Sequence, residues 1–167
     1  DGVELARVVD RGIREAEAVD LEDLCIEPGE KVYTVFIDAH ILNDDGNLID
    51  AASLAALASL KTGYLPEYDE EEGVLDRDEK WKDIELQTEP VTATARMIED
   101  TVVFDTTSDE EDALDARITV SVDEDGHVVS MQKGESSPYS MDGLMDSIER
   151  AKDKTSDLRE QLEKSLQ

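Results

Sequence analysis

Three arginines, Arg7, Arg11 and Arg14, recur at i, i+4 and i+7 near the start of the chain, a spacing that sets their side chains along one side of a helix. A guanidinium group is a planar fork of donors that matches phosphate oxygens. The stripe is therefore either a row of phosphate grips or a solvated face whose arginines pair with Glu4, Asp10, Glu15 or Glu17. A second group, Asp105, Asp109, Glu110, Glu111, Asp112 and Asp115, crowds carboxylates between two β-type runs. It reads either as an acidic surface loop or as the remnant of a carboxylate pair that binds a divalent ion or assists proton transfer. His40 and His127 are the two imidazoles and Cys25 the one thiol. His40 falls in a strand pattern and His127 beside a turn, so both read as ordinary strand residues. A single cysteine makes no intrachain disulfide, and no Cys/His cluster marks zinc, so neither metal nor cofactor is expected.

Several standard signatures are absent. An EF-hand loop needs Asp or Asn at one, three and five positions before its glycine. The fifth position before Gly46 is Ile41, and before Gly126 it is Ser121. The glycines are scattered singly, without the spacing of a P-loop or a dinucleotide fingerprint.

The elements that must position these residues follow from hydrophobic periodicity. Leu5, Val8, Val9, Ile13 and Ala16 predict an amphipathic helix over Val3 to Val19, with the arginines on its other face. The turn Glu27-Pro28-Gly29-Glu30 leads into Lys31 to Leu42, where Tyr33, Val35, Ile37, Ala39 and Ile41 alternate and Phe36 makes the opposite face apolar too. That pattern predicts a central strand covered on both sides. Leu48 to Leu60 reads as an Ala-rich helix with Asp50 or Ser53 near its start and Gly63 past its end. From about 67 to 90 the chain is an acidic excursion with one short strand expected. Val91 to Met97, Thr101 to Phe104, Ala116 to Val122 and His127 to Gln132 read as antiparallel strands joined by hairpin turns at 98–100 and 123–126. Ser140 caps a long final helix of about 26 residues with Met141, Leu144, Ile148, Ala151, Leu158, Leu162 and Leu166 inward. The order predicts an α+β fold, helices packed on a mixed or antiparallel sheet.

The 167 residues suit one domain. Lys+Arg 16 against Asp+Glu 44 leave a net charge of −28, which opposes binding nucleic acid over the whole surface. Acids spread through every loop are the pattern of a protein adapted to molar salt, where charge is screened within about 3 Å. No run approaches the roughly 18 apolar residues of a membrane span, and no signal segment opens the chain, so a cytoplasmic location is expected. The start at Asp1-Gly2, without an initiator Met, suggests an N-terminal truncation.

Four blocks in order, Glu4 to Arg14, Val35 to Asp38, Asp45 to Ala55 and Leu114 to Val120, resemble the RNase PH superfamily and, more closely, the non-catalytic RNase PH-like ring subunits of the archaeal exosome. The likeness runs over nearly the whole chain and departs mainly between Asp69 and Glu89. It implies that residues 1–167 form the C-terminal portion of a single RNase PH-like domain. Active members hold phosphate with a Gly-Thr/Ser-Arg element where this chain has Gly46-Asn47-Leu48, and a leucine cannot bind phosphate. They also carry two aspartates six residues apart, a spacing that Asp109 and Asp115 reproduce. Without the phosphate grip those acids would be vestigial, because in-line attack needs the anion positioned and its charge offset.

The resemblance further implies RNA-backbone contacts for Arg7 and Arg11, with Arg14 less central, in a cleft shared with a catalytic homologue. It implies an alternating hexameric ring, a cap of RNA-binding subunits, and 3′-to-5′ phosphorolytic RNA degradation. Two rival readings stand beside it: an autonomous phosphorolytic exoribonuclease, and an unrelated acidic scaffold or metal-binding protein.

Overall fold

A computed structural model describes residues 2–166. Its elements run α1 (Gly2–Glu15), β1 (Cys25–Glu27), β2 (Lys31–Val32), α2 (Leu48–Thr62), β3 (Tyr64–Asp69) and β4 (Val74–Asp83), followed by β5 (Val91–Ile98), β6 (Thr101–Val103), the short α3 (Ser108–Glu111), β7 (Ala116–Val122), β8 (Val128–Gly134) and α4 (Met141–Ser165). The fold is α+β, and every strand pairing is antiparallel.

The organising element is a four-stranded sheet in the order β6-β5-β7-β8. Its register opposes Ala93 to Val120 and Ala95 to Ile118 on one face, and Thr92 to Ser121, Thr94 to Thr119 and Arg96 to Arg117 on the other. Strand side chains alternate between faces, so this register sorts the sheet into a dry side and a polar side. The dry side packs Ala93, Ala95, Ile118, Val120 and Val122 against Ala151 of α4, with Leu144 and Ile148 around them. On the polar side the hydroxyls satisfy one another: Thr92 Oγ1 lies 2.9 Å from Ser121 Oγ and Thr94 Oγ1 3.0 Å from Thr119 Oγ1. Buried polar groups are tolerated when they are paired in this way. Helices α1 and α2 cover that side.

α1 is shorter than its periodicity predicts. Glu17 takes a left-handed backbone with φ 50°, and Ala18 N donates to Ile13 O at 3.0 Å, a helix-ending closure that stops the helix at Glu15 instead of Val19. α2 begins where expected, but neither Asp50 nor Ser53 caps it. Asn47, with φ 55°, occupies that position, while Asp50 is buried and Ser53 Oγ donates to Ile49 O at 2.7 Å. α4 starts at its predicted cap, Ser140, whose Oγ accepts from Gly143 N at 3.0 Å. Ala151 and Leu162 are buried along it, but Met141 is 72% exposed and Leu166 40%, so the inward stripe is shorter at both ends.

Two expectations fail. The predicted strand Lys31 to Leu42 is regular only at Lys31–Val32. Beyond Tyr33 the chain is exposed, with Phe36 82% and Leu42 94% accessible. Alternation shows that a segment has faces to bury; it does not supply the neighbour, and no strand among the described residues pairs with 33–42. The excursion at 67–90 also differs, because it builds a hairpin of β3 and the ten-residue β4. Its acidic composition hid the strand, since nearly all of β4 faces water and needs no apolar alternation. The hairpin is fixed at its base, where Trp81 stacks on Tyr33 with ring centroids 5.8 Å apart and Tyr33 OH donates to Pro66 O at 2.6 Å.

The uncovered apolar run should bind a hydrophobic dye. Phe36→Ser with Leu42→Ser is expected to abolish most of the dye fluorescence and leave the urea midpoint unchanged; a lowered midpoint would show that these side chains are buried in solution.

Candidate nucleic-acid interface

α1 lies along the polar side of the sheet because Val8 and Gly12 are its buried positions. Two of the three arginines then face the groove between this helix and β8, a space of about 290 Å³ lined by Val3, Glu4, Arg7, Val8, Arg11 and Gln132. Arg11 is steered, its Nη1 donating to Gln132 Oε1 at 2.9 Å. Arg7 is exposed and makes no hydrogen bond or ion pair within the described residues. Arg14 is separated from this groove. It pairs at 3.3 Å with Asp10 and at 3.7 Å with Glu15, and such exposed pairs add little to stability.

Glu4, one of the candidate partners for the stripe, pairs elsewhere: Arg117 Nη2 approaches its Oε1 at 2.5 Å. Arg117 reaches it by crossing Gly134 on the neighbouring strand. A Cβ at 134 would stand 2.2 Å from Arg117 Nε, so only glycine admits that path.

The second candidate group disperses. Asp109 sits exposed in the first turn of α3, while Asp115 Oδ2 accepts from Glu99 N at 2.7 Å and so holds the turn between β5 and β6. No hydrogen bond or ion pair joins the two. Among the described residues no set of three or more His, Cys, Asp or Glu side chains is arranged to hold a metal ion. The acids that matter here are others. Glu110 and Thr107 close a capping box on α3, and Glu111 reaches across to α2, where Oε1 accepts from Asn47 N at 2.9 Å and pairs with Arg96 at 2.8 Å. Arg96, only 2% exposed, also donates to Asn47 Oδ1 at 2.8 Å, and Asp105 accepts from Asn47 Nδ2 at 3.0 Å. Gly46 makes the approach possible: with φ 88°, it has Thr106 O where a Cβ would come within 2.2 Å. The start of α2, a natural anion site, is thus met by the chain's own carboxylate.

Asp50 completes this corner. Its Oδ2 accepts from Thr94 N at 2.9 Å and its Oδ1 from Thr94 Oγ1 at 2.6 Å, tying α2 to β5. Burial raises its pKa above the ordinary 3.8, outweighing the Thr94 hydrogen bonds and the nearby Arg96 charge that lower it. His127 takes no part in either group; its Nδ1 lies 3.1 Å from Asp123 Oδ2 within the turn between β7 and β8.

Two domain models of one family match the chain, 3′ exoribonuclease family domain 1 over residues 1–66 and domain 2 over residues 88–154. The chain belongs to the 3′ exoribonuclease family, whose fold is RNase PH-like. Among its relatives is "Exosome complex component Rrp42" of Thermococcus gammatolerans, 43% identical over 159 residues, which cover 94% of this chain and 58% of the relative. Rrp42 of Methanocella arvoryzae is 43% identical over 163 residues, covering 98% and 60%. A solved structure described as "Archaeal exosome core" superposes with a TM-score of 0.86 at 38% identity, covering 96% of this chain and 63% of that one. Another, "archaeoglobus fulgidus exosome with RNA bound to the active site", gives 0.85 at 38% identity, covering 95% and 60%. The chain spans about three fifths of the length of these relatives.

Sequence reasoning found Arg7 and Arg11 and named Glu111 and Asn47 in other roles, but missed Gln132, Arg117 and Arg96. Arg117 and Gln132 carried a usable signal, because both are long polar residues on sheet strands whose alternation puts them on the helix-covered side.

Asp50 supplies a test. A folded pKa above the unfolded value means a contribution that is complete below about 3.8 and is lost as pH rises through the raised pKa. Asp50→Asn keeps an acceptor for Thr94 N and should flatten the fall of stability with rising pH. Asp50→Ala leaves that buried amide unpaired and should cost about 1–3 kcal/mol. Denaturant unfolding across pH reads both; parallel pH profiles for wild type and Asp50→Asn would exclude the assignment.

Proposed function

We propose that this chain is part of a non-catalytic, RNA-binding subunit of an archaeal exosome ring, supporting 3′-to-5′ phosphorolytic RNA degradation by a catalytic RNase PH-like homologue. The observation that carries the reading is the groove between α1 and β8, with Arg7 unpaired among the described residues and Arg11 oriented by Gln132. Two cations four residues apart lie about 6 Å apart along a helix, suited to successive phosphates of one strand. Phosphate contacts position a strand without reading its bases, which suits processive decay.

The non-catalytic part rests on the other end of the fold. Where active members of the family grip phosphate, this chain has Leu48, and its Asn47 amide is taken by Glu111. Asp109 and Asp115 then remain as vestigial acids without a bound anion to act on. The expected partners are a catalytic RNase PH-like subunit alternating with this one in a hexamer, RNA-binding cap subunits, and RNA, in the cytoplasm. The chain is taken as the C-terminal portion of a single RNase PH-like domain.

Incubated alone with RNA and phosphate, the chain should release no nucleoside diphosphate, and turnover by the lone chain would favour an autonomous exoribonuclease. In a ring with the catalytic homologue, Arg7→Glu with Arg11→Glu should weaken RNA binding by about tenfold or more and flatten its salt dependence, with assembly intact. Asp109→Asn should leave decay rates nearly unchanged. Unaltered RNA affinity in the double variant would remove the arginines from the interface.

The −28 charge supports a salt-adapted protein. Self-repulsion weakens a compact state, so Tm should climb as potassium chloride rises from about 0.1 to about 1 M and the screening length contracts from about 10 to about 3 Å. A flat Tm would exclude that adaptation.

A further inference from the structure

One wall of the cationic groove is a carboxylate. Glu4 lines the same space as Arg7 and Arg11, where a negative charge opposes the phosphate that the arginines attract. Its position is built. Arg117 holds Oε1 at 2.5 Å, and that contact exists because residue 134 has no Cβ. Across the groove Gln132 gives its Oε1 to Arg11, while its Nε2 has only a long 3.4 Å contact to Lys133 O. The groove therefore offers guanidinium donors on one helix face, an amide donor on β8, and one carboxylate acceptor, Glu4, held in place through its Oε1 by Arg117.

A phosphodiester has no hydrogen to give such an acceptor. A ribose does, because its 2′-hydroxyl is both donor and acceptor and stands beside the 3′-phosphate. We propose that Glu4 reads the ribose 2′-hydroxyl of the bound strand, making this groove selective for RNA over DNA. The proposal rests on the RNA-binding reading above and adds to it a residue that chooses the sugar. The repulsion Glu4 exerts on phosphate is offset for RNA by a charge-assisted hydrogen bond that DNA cannot make, so the same side chain rewards one polymer and penalises the other.

The test uses labelled single strands of one sequence in three chemistries, RNA, DNA and 2′-O-methyl RNA, titrated without phosphate, by fluorescence anisotropy over a salt series, with the ring assembled from the full subunit and its catalytic homologue. The 2′-O-methyl strand keeps an acceptor oxygen and loses only the hydrogen. The wild type should prefer RNA to both other strands by about tenfold, the worth of one hydrogen bond to a charged group. Glu4→Ala should bring the three affinities together, chiefly by strengthening the DNA and 2′-O-methyl strands. Glu4→Gln retains an acceptor for Arg117 and guards against misfolding, but it puts an NH2 donor where the second carboxylate oxygen stood, so it should lose the preference for RNA over 2′-O-methyl RNA.

A purely structural role for Glu4 would move all three strands alike, and that result overturns the proposal, as does a wild type that does not distinguish RNA from 2′-O-methyl RNA. Arg7→Glu with Arg11→Glu separates the two claims. If that variant binds RNA as the wild type does, or if the wild type binds none of the strands, the interface itself is wrong. If the arginines are needed but Glu4→Ala keeps the sugar preference, only the assignment of Glu4 falls.

Discussion

The Asp50 carboxylate receives both the amide and the hydroxyl of Thr94, and much of the architecture depends on that pair of bonds. They fasten the first turn of α2 to the middle of β5 and set the depth at which the helix meets the polar side of the sheet. α1 packs beside α2, so the same bonds indirectly place the helix that carries Arg7 and Arg11. A carboxylate buried this deeply is costly unless every oxygen is satisfied, and here the amide of Thr94 supplies one oxygen and its hydroxyl the other. The polar layer is therefore a structural requirement of the helix-covered side, and the dry side against α4 supplies the hydrophobic burial.

Local pattern made the antiparallel strands legible. Ala116 to Val122 was recovered to the residue, because its two faces and its flanking turns agree. The final helix was equally readable, with Ser140 announcing its start. What stayed hidden depended on partners distant in sequence. Lys31 to Leu42 has the alternation of a central strand, but a strand also needs a neighbour, and hydrogen-bonding neighbours are not written in the segment itself. The hairpin of β3 and β4 failed for the opposite reason. A ribbon exposed on both sides satisfies its backbone without an apolar face, so periodicity has nothing to detect.

The candidate site divides in the same way. Helical spacing was enough to put Arg7 and Arg11 together, but it placed Arg14 with them, and only its pairing with Asp10 and Glu15 in the fold sets it apart. Spacing was not enough for Asp109 and Asp115, because a turn intervenes and sends each to a separate task. The cluster that replaced them, Glu111 with Arg96 and Asn47, joins residues from α3, β5 and the start of α2. Such a constellation exists only after folding. An overall excess of 28 negative charges nevertheless coexists with a groove whose cations are available, because the groove's own carboxylate, Glu4, pairs with Arg117 and Arg11 is held by a neutral amide.

The stacked rings at the foot of the hairpin have a practical side. Trp81 is the sole tryptophan and rests on Tyr33, remote from the four-stranded sheet. Near-ultraviolet emission from this molecule is thus a local gauge, sensitive to detachment of the ribbon and blind to the stacked sheet and helices. Melting followed by indole light and by peptide circular dichroism need not coincide, and a gap between the two curves would mark the ribbon as a separately cooperative unit.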